Sequence, residues 1–152
     1  MTLIDALHGT AAVGTGVTAG VYVAFSAMVM PSLARVPSDQ GLAAMQRINR
    51  LAVRSPFIVA FLGAAAASTG LIAMAGMRRE VPPASIVGAG LALGATAITI
   101  AVNQPLNRHL AGLEPEQADV AHPWLQIAHR WTRANHLRAI IAVLALVALS
   151  SS

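Results

Sequence analysis

Two short polar clusters interrupt an otherwise apolar chain, and their amides, imidazole and guanidiniums are the side chains from which a polar binding or catalytic site could be built. Asn103-Gln104-Pro105-Leu106-Asn107 ends a run of about twenty apolar residues, the length of a membrane span. Trp131-Thr132-Arg133-Ala134-Asn135-His136-Leu137-Arg138 opens the last such run. At the edge of a hydrocarbon layer, amides, an imidazole and guanidiniums are costly unless they have partners, so the clusters point to a polar site between helices. Asn103 and Asn107 stand at i and i+4 and share a helix face. Each amide can donate and accept at once. The pair suits a polar ligand, and it equally suits a structural clamp on the carbonyl that Pro105 leaves free.

On the last helix, Trp124, Trp131, Asn135 and Arg138 fall on one side, and His122, His129, Arg133 and His136 fall on the other. A seven-residue step separates imidazoles by about 10 Å, whereas helical metal-binding pairs take i, i+3 or i+4, so the histidine stripe is not read as a metal site. His136 lies deepest, beside Asn135 and Arg138, and is the one titratable base expected inside the bundle. His109 follows the Asn pair and could serve as a second ligand, but it is expected to be exposed, and His8 belongs to the opposite end. Asp5, Asp39, Glu80, Glu114, Glu116 and Asp119 all fall in caps or loops, which counts against a proton or cation pump. No GxSxG elbow, P-loop, GxGxxG turn or HExxH pair is present, so hydrolase, kinase and nicotinamide chemistry lack support.

The elements that must position these residues follow from composition. The chain has 152 residues, 56% apolar and only 11% charged, with a mean hydropathy of +0.65. A soluble surface needs about twice that charge, so the natural solvent is a bilayer. The net charge of +4 comes from ten Arg and no Lys. They are scattered rather than interleaved with aromatics, which argues against nucleic acid. With no Cys, disulfides and thiolate chemistry are excluded. No positive residue precedes the first apolar run, so that run is expected to stay as a membrane helix rather than act as a cleaved signal.

The pattern predicts an all-α, four-helix transmembrane bundle in one domain covering residues 1–152, with spans near 9–30, 56–77, 84–110 and 124–149. Thr2-x-x-Asp5 reads as a capping box at the start of the first helix, and Pro31 is expected to end it. An amphipathic helix near 38–54, capped by Ser38, is expected to lie at the membrane interface with Arg47, Arg50 and Arg54 on its wet face. Leu42, Met45, Gln46, Asn49 and Val53 form its other face. Ser55-Pro56 is an N-cap and N1 pair. Pro105 should kink the third span, and Pro123 starts the last helix. Arg78-Arg79-Glu80-Val81-Pro82-Pro83 reads as a short stiff loop. Eight of the ten Arg fall on the side of loops 31–55 and 111–122. The positive-inside rule then puts that side in the cytoplasm and both termini outside, in a bacterial inner membrane.

Five motifs in this order resemble the anthrone oxygenase-like family of small four-helix integral membrane proteins. They are Phe25 through Met30-Pro31-x-Leu33, Met45-Gln46-x-Ile48-Asn49, Pro56-Phe57, Asn103-x-Pro105-Leu106-Asn107-x-x-Leu110, and Trp131-Thr132-x-x-Asn135-His136-x-Arg138. The resemblance covers nearly the whole chain and implies oxygenation of an anthrone to an anthraquinone, with O2 as co-substrate. Such chemistry needs a general base, donors for a phenolate oxygen and an aromatic slot. His136 is the expected base, and Asn107 and Arg138 the groups that stabilise the oxyanion. Asn103, Asn135 and Asn49 are expected to touch substrate, with Trp131 and Met45 flanking its ring. No obligatory metal is expected, although a haem or a single metal on His136 stays open. The expected partners are the bilayer, a lipophilic aromatic small molecule and a second copy of the chain through the Gly- and Ala-rich spans. A non-enzymatic binder or transporter of a lipophilic compound, an accessory membrane protein, and a purely structural amide network are the competing readings.

Overall fold

The computed structural model describes residues 2–77 and 80–151, and it is all-helical among them. Arg78 and Arg79 of the expected stiff loop lie outside the described residues. Four helices are long and apolar enough to cross a membrane: α1 (Leu3–Leu33), α3 (Pro56–Gly76), α4 (Pro83–Ala111) and α5 (Ala121–Ser150). A shorter helix, α2 (Ser38–Ala52), joins the first two. Each span packs on the next, and α1 packs on α5, which closes the ring of four. Their outer faces carry Val13, Val59 and Ile140, more than half exposed, as expected of side chains that meet lipid. The chain is therefore read as an integral membrane protein.

Local signals set the starts of the helices. Thr2 Oγ1 accepts from the Asp5 N–H at 3.1 Å and Asp5 Oδ2 accepts from the Thr2 N–H at 2.7 Å, a complete capping box. Ser55 Oγ accepts from the Phe57 N–H at 3.3 Å, and Pro56 occupies the first turn. Ser38 is a correction: the N-cap is Pro37, and Ser38 is already helical. The last helix begins at Ala121, and Pro123 sits in its first turn, where no intrahelical donor is required.

Pro31 does not end α1. The helix continues to Leu33 because a π-turn over Phe25–Val29 precedes the proline, and the Met30 N–H bonds to the Phe25 carbonyl. Thr99–Asn103 does the same ahead of Pro105, with the Gln104 N–H on the Thr99 carbonyl. A proline ring crowds the carbonyl four residues back, here Ala27 and Ala101. Both of those residues lie inside the wider turns, which make room without ending the helix.

In the half of the bundle nearest the chain termini, small residues set the spacing. A Cβ on Gly14 would lie 2.7 Å from the Ala60 carbonyl oxygen. One on Gly88 would lie 2.7 Å from Leu149 Cγ and 3.0 Å from the Ala145 carbonyl oxygen. At the other end, α2 lays Leu42 and Met45 on a buried cluster with Leu106, Leu110, Trp124, Ile127 and Trp131. Arg47, Arg50 and Arg54 point outward and are exposed, as the sequence predicts.

Candidate functional site

Where α2 meets the four spans, the bundle leaves a cavity of about 400 Å3, within the range of small-molecule sites. Every span and α2 contribute to its wall. The chain has only three Phe, two Trp and one Tyr, and all of them except Trp124 line this one space. Phe25 and Trp131 lie 5.3 Å apart between ring centroids, Tyr22 meets Phe57 edge-on at 6.4 Å, and Phe57 stacks on Phe61 at 6.1 Å. Such concentration in so aromatic-poor a chain gives the cavity flat, polarisable walls.

The polar groups converge from three helices. Asn107 Oδ1 accepts from Trp131 Nε1 at 2.9 Å and from Asn49 Nδ2 at 3.2 Å, which ties α2, α4 and α5 together at the wall. Gln46 Nε2 donates to the Leu110 and Leu113 carbonyls at 2.9 and 2.8 Å, so a second amide of α2 caps the end of α4. These two contacts hold α2 in place over the cavity.

Arg138 is the charged group of the wall, and it is only 5% exposed. Its Nη2 donates to Asn135 Oδ1 at 2.7 Å and its Nη1 to Thr99 Oγ1 at 3.1 Å. The guanidinium carbon lies 4.3 Å from the Tyr22 ring centroid and 5.4 Å from that of Trp131. These cation–π contacts offset part of the cost of burial. Nε has no partner, and none of the six carboxylates lines the cavity. Asn135 is fully buried and donates to the Tyr22 carbonyl and to Ser26 Oγ, both at 2.8 Å.

Of the eight residues singled out from the sequence, the cavity wall holds Asn49, Asn107, Trp131, Asn135 and Arg138. Three lie elsewhere. Met45 is fully buried in the cluster beneath α2, where it supports the wall rather than forming it. Asn103 is buried with Nδ2 3.5 Å from the Trp131 carbonyl and with Oδ1 unpaired. His136 is the substantive correction to placement: it is exposed and absent from the wall. One residue past the inward-facing Asn135, the helix has turned about 100°, which carries the imidazole into the groove beside α1. There its Nδ1 lies 2.8 Å from Ser26 Oγ, the same hydroxyl that accepts from Asn135. His122, His129 and Arg133 share that exposed side.

Sequence reasoning missed Tyr22, Phe25, Phe57, Phe61 and Thr99 as wall residues. Signals for some of them were present: Tyr22 is the only Tyr, set in an aliphatic span, and Phe57 and Phe61 stand at i and i+4. Among the described residues no group of three His, Cys, Asp or Glu lies close enough to hold a metal ion.

A family model described as anthrone oxygenase matches residues 49–148, from Asn49 to beyond Arg138. No curated protein and no solved structure matches the chain. The match covers well over half of the sequence, and the chain belongs to the anthrone oxygenase family.

Proposed function

We propose that this member of the anthrone oxygenase family is a membrane-embedded oxygenase that takes a flat hydroxylated tricyclic substrate of the anthrone type into the cavity and converts its central CH2 to a carbonyl. The observation that carries the reading is the meeting of five of the chain's six aromatic rings with Asn107 and Arg138 in one space of about 400 Å3. The reaction consumes one O2 per substrate: one oxygen atom enters the new carbonyl, and the other leaves as water with the two methylene hydrogens. Removing one of those hydrogens as a proton gives an electron-rich anthranolate that can react with O2, so stabilising its oxygen is the service the protein must supply.

Trp131 and Phe57 would sandwich the ring system. Both hydrogen bonds of Asn107 Oδ1 go to protein, which leaves its NH2 for a substrate oxygen. Arg138 would face the anionic oxygen, held at the correct angle by Asn135 and Thr99. His136 would act as a positioning residue through Ser26 and Asn135 rather than as the base. Asn49 closes the wall from α2. The excess of Arg at this end is the basis for placing it on the cytoplasmic side of a bacterial inner membrane.

Among the described residues no His or carboxylate lines the cavity, and that favours a second reading in which the protein binds or moves a lipophilic phenol without reacting it. Oxygen uptake by the detergent-purified protein with a simple hydroxyanthrone separates the two. Uptake at least tenfold above the autoxidation blank, reduced in Trp131→Ala, is the expected result. Uptake equal to the blank overturns the oxygenase and leaves the binder.

A further inference from the structure

The charge balance of the cavity has a consequence for what it will hold. Among the described residues, Tyr22 and Arg138 are the only titratable side chains in its wall. The Arg of α2, Arg47, Arg50 and Arg54, are exposed and turn away from it. Among the described residues no carboxylate stands beside the buried Arg138; two of its five N–H groups donate to Asn135 and Thr99, and the Tyr22 hydroxyl is a further neutral neighbour. The unpartnered Nε is itself buried. A cation removed from water and left short of acceptors is costly, and an anion brought to it recovers that cost. The surrounding rings and aliphatic side chains offer little to a compact hydrophilic anion such as phosphate. They suit an anion whose charge is spread over an aromatic system.

We infer that the cavity binds its ligand in ionised form: a flat hydroxylated aromatic enters as the phenolate or enolate, with the charged oxygen against Arg138. The proton is lost to water at the headgroup level before the ring enters, so the wall needs no base. This inference rests on the cavity being the ligand site of the proposed function, and it adds the chemical state that the site selects.

The probe is a hydroxyanthraquinone dye, already fully oxidised at the central ring, whose phenol and phenolate absorb at different wavelengths. It is titrated with pH in detergent, with and without the purified protein. The bound dye is expected to ionise at least two pH units below the dye in detergent alone, as an adjacent cation with no carboxylate partner demands. At a pH where the free dye is neutral, its methyl ether should bind at least tenfold more weakly. Arg138→Gln should abolish the shift while Arg138→Lys keeps most of it. The comparison of dye with ether needs no variant, so a misfolded Arg138→Gln does not decide the matter. A bound dye that stays neutral, an ether that binds as well as the phenol, or no binding at all overturns the inference. Because the dye cannot be oxygenated, an ionised bound dye together with blank-level oxygen uptake would remove the oxygenase and keep the anion site.

Discussion

Away from the cavity, α1 and α4 meet their neighbours through Gly14 and Gly88, where a single added carbon would fall 2.7 Å from an atom of α3 or α5. At the Arg-rich end the same two helices carry π-turns, and the first residue of each turn, Phe25 and Thr99, lines a space of about 400 Å3. One half is held by close backbone approach, which works in lipid because dispersion contacts need only small residues to accumulate. The other half keeps a space open within the ring of helices, and hydrogen-bonded amides and one guanidinium hold its walls. Stability and ligand selection are therefore separable here: the tight half fixes the bundle, and the open half can be altered without removing what holds the helices together.

The strongest test of that separation is Gly88→Leu. The added side chain must displace the α5 backbone at Ala145 or the side chain of Leu149, and overpacking of this kind costs about 1–3 kcal/mol or more. Thermal unfolding in detergent should show a clear fall in Tm or a failure to fold. Gly20→Leu is the control, since a Cβ at Gly20 meets nothing within 4 Å. Equal falls in the two variants would mean that close approach at Gly88 is not what holds this half.

Next in size is Asn135→Ala, which deletes the acceptor for Arg138 and the donor to Ser26 and the Tyr22 carbonyl together. Losing a hydrogen bond to a charged group costs about 1.5–3 kcal/mol. The Tm should fall as well, and binding of the hydroxyanthraquinone should weaken by at least tenfold because Arg138 loses its fixed angle. Dye affinity unchanged in Asn135→Ala would show that Arg138 is held without it, and the open half would then be less dependent on its amides than its geometry suggests.

What the sequence made legible follows from periodicity and caps. Four spans, the capping box at Thr2 and Asp5, the Ser55-Pro56 start and the inward stripe of Trp124, Trp131, Asn135 and Arg138 all rest on local rules, and each appears as expected. Two of the departures trace to π-turns. A π-turn leaves no mark on composition or hydropathy, so Pro31 reads as a stop when it is absorbed by a wider turn and the helix runs on to Leu33. Asn103 ends such a turn, and it does not share the cavity with Asn107. The convergence of Tyr22 with Phe57 and Phe61 is a tertiary fact: these residues lie on helices whose register against one another no spacing in the sequence encodes.

Substitution of His136 should have the mildest consequence and draws the sharpest distinction. A general base in contact with substrate contributes about 10²–10⁴-fold, so its removal would nearly abolish turnover. A residue whose hydrogen bond goes to Ser26, which in turn orients Asn135, contributes the few tenths to about one kcal/mol of a single outer hydrogen bond. His136→Ala should therefore lower kcat/KM only a few-fold and leave the shape of the pH–rate profile unchanged. His136→Gln, whose amide can still reach Ser26, should recover most of the loss. A collapse of kcat by more than a hundredfold, with loss of one limb of the pH profile, would instead mean that the imidazole swings from the groove beside α1 into the cavity during turnover. The boundary between the wall and its outer support would then have to be redrawn around Ser26.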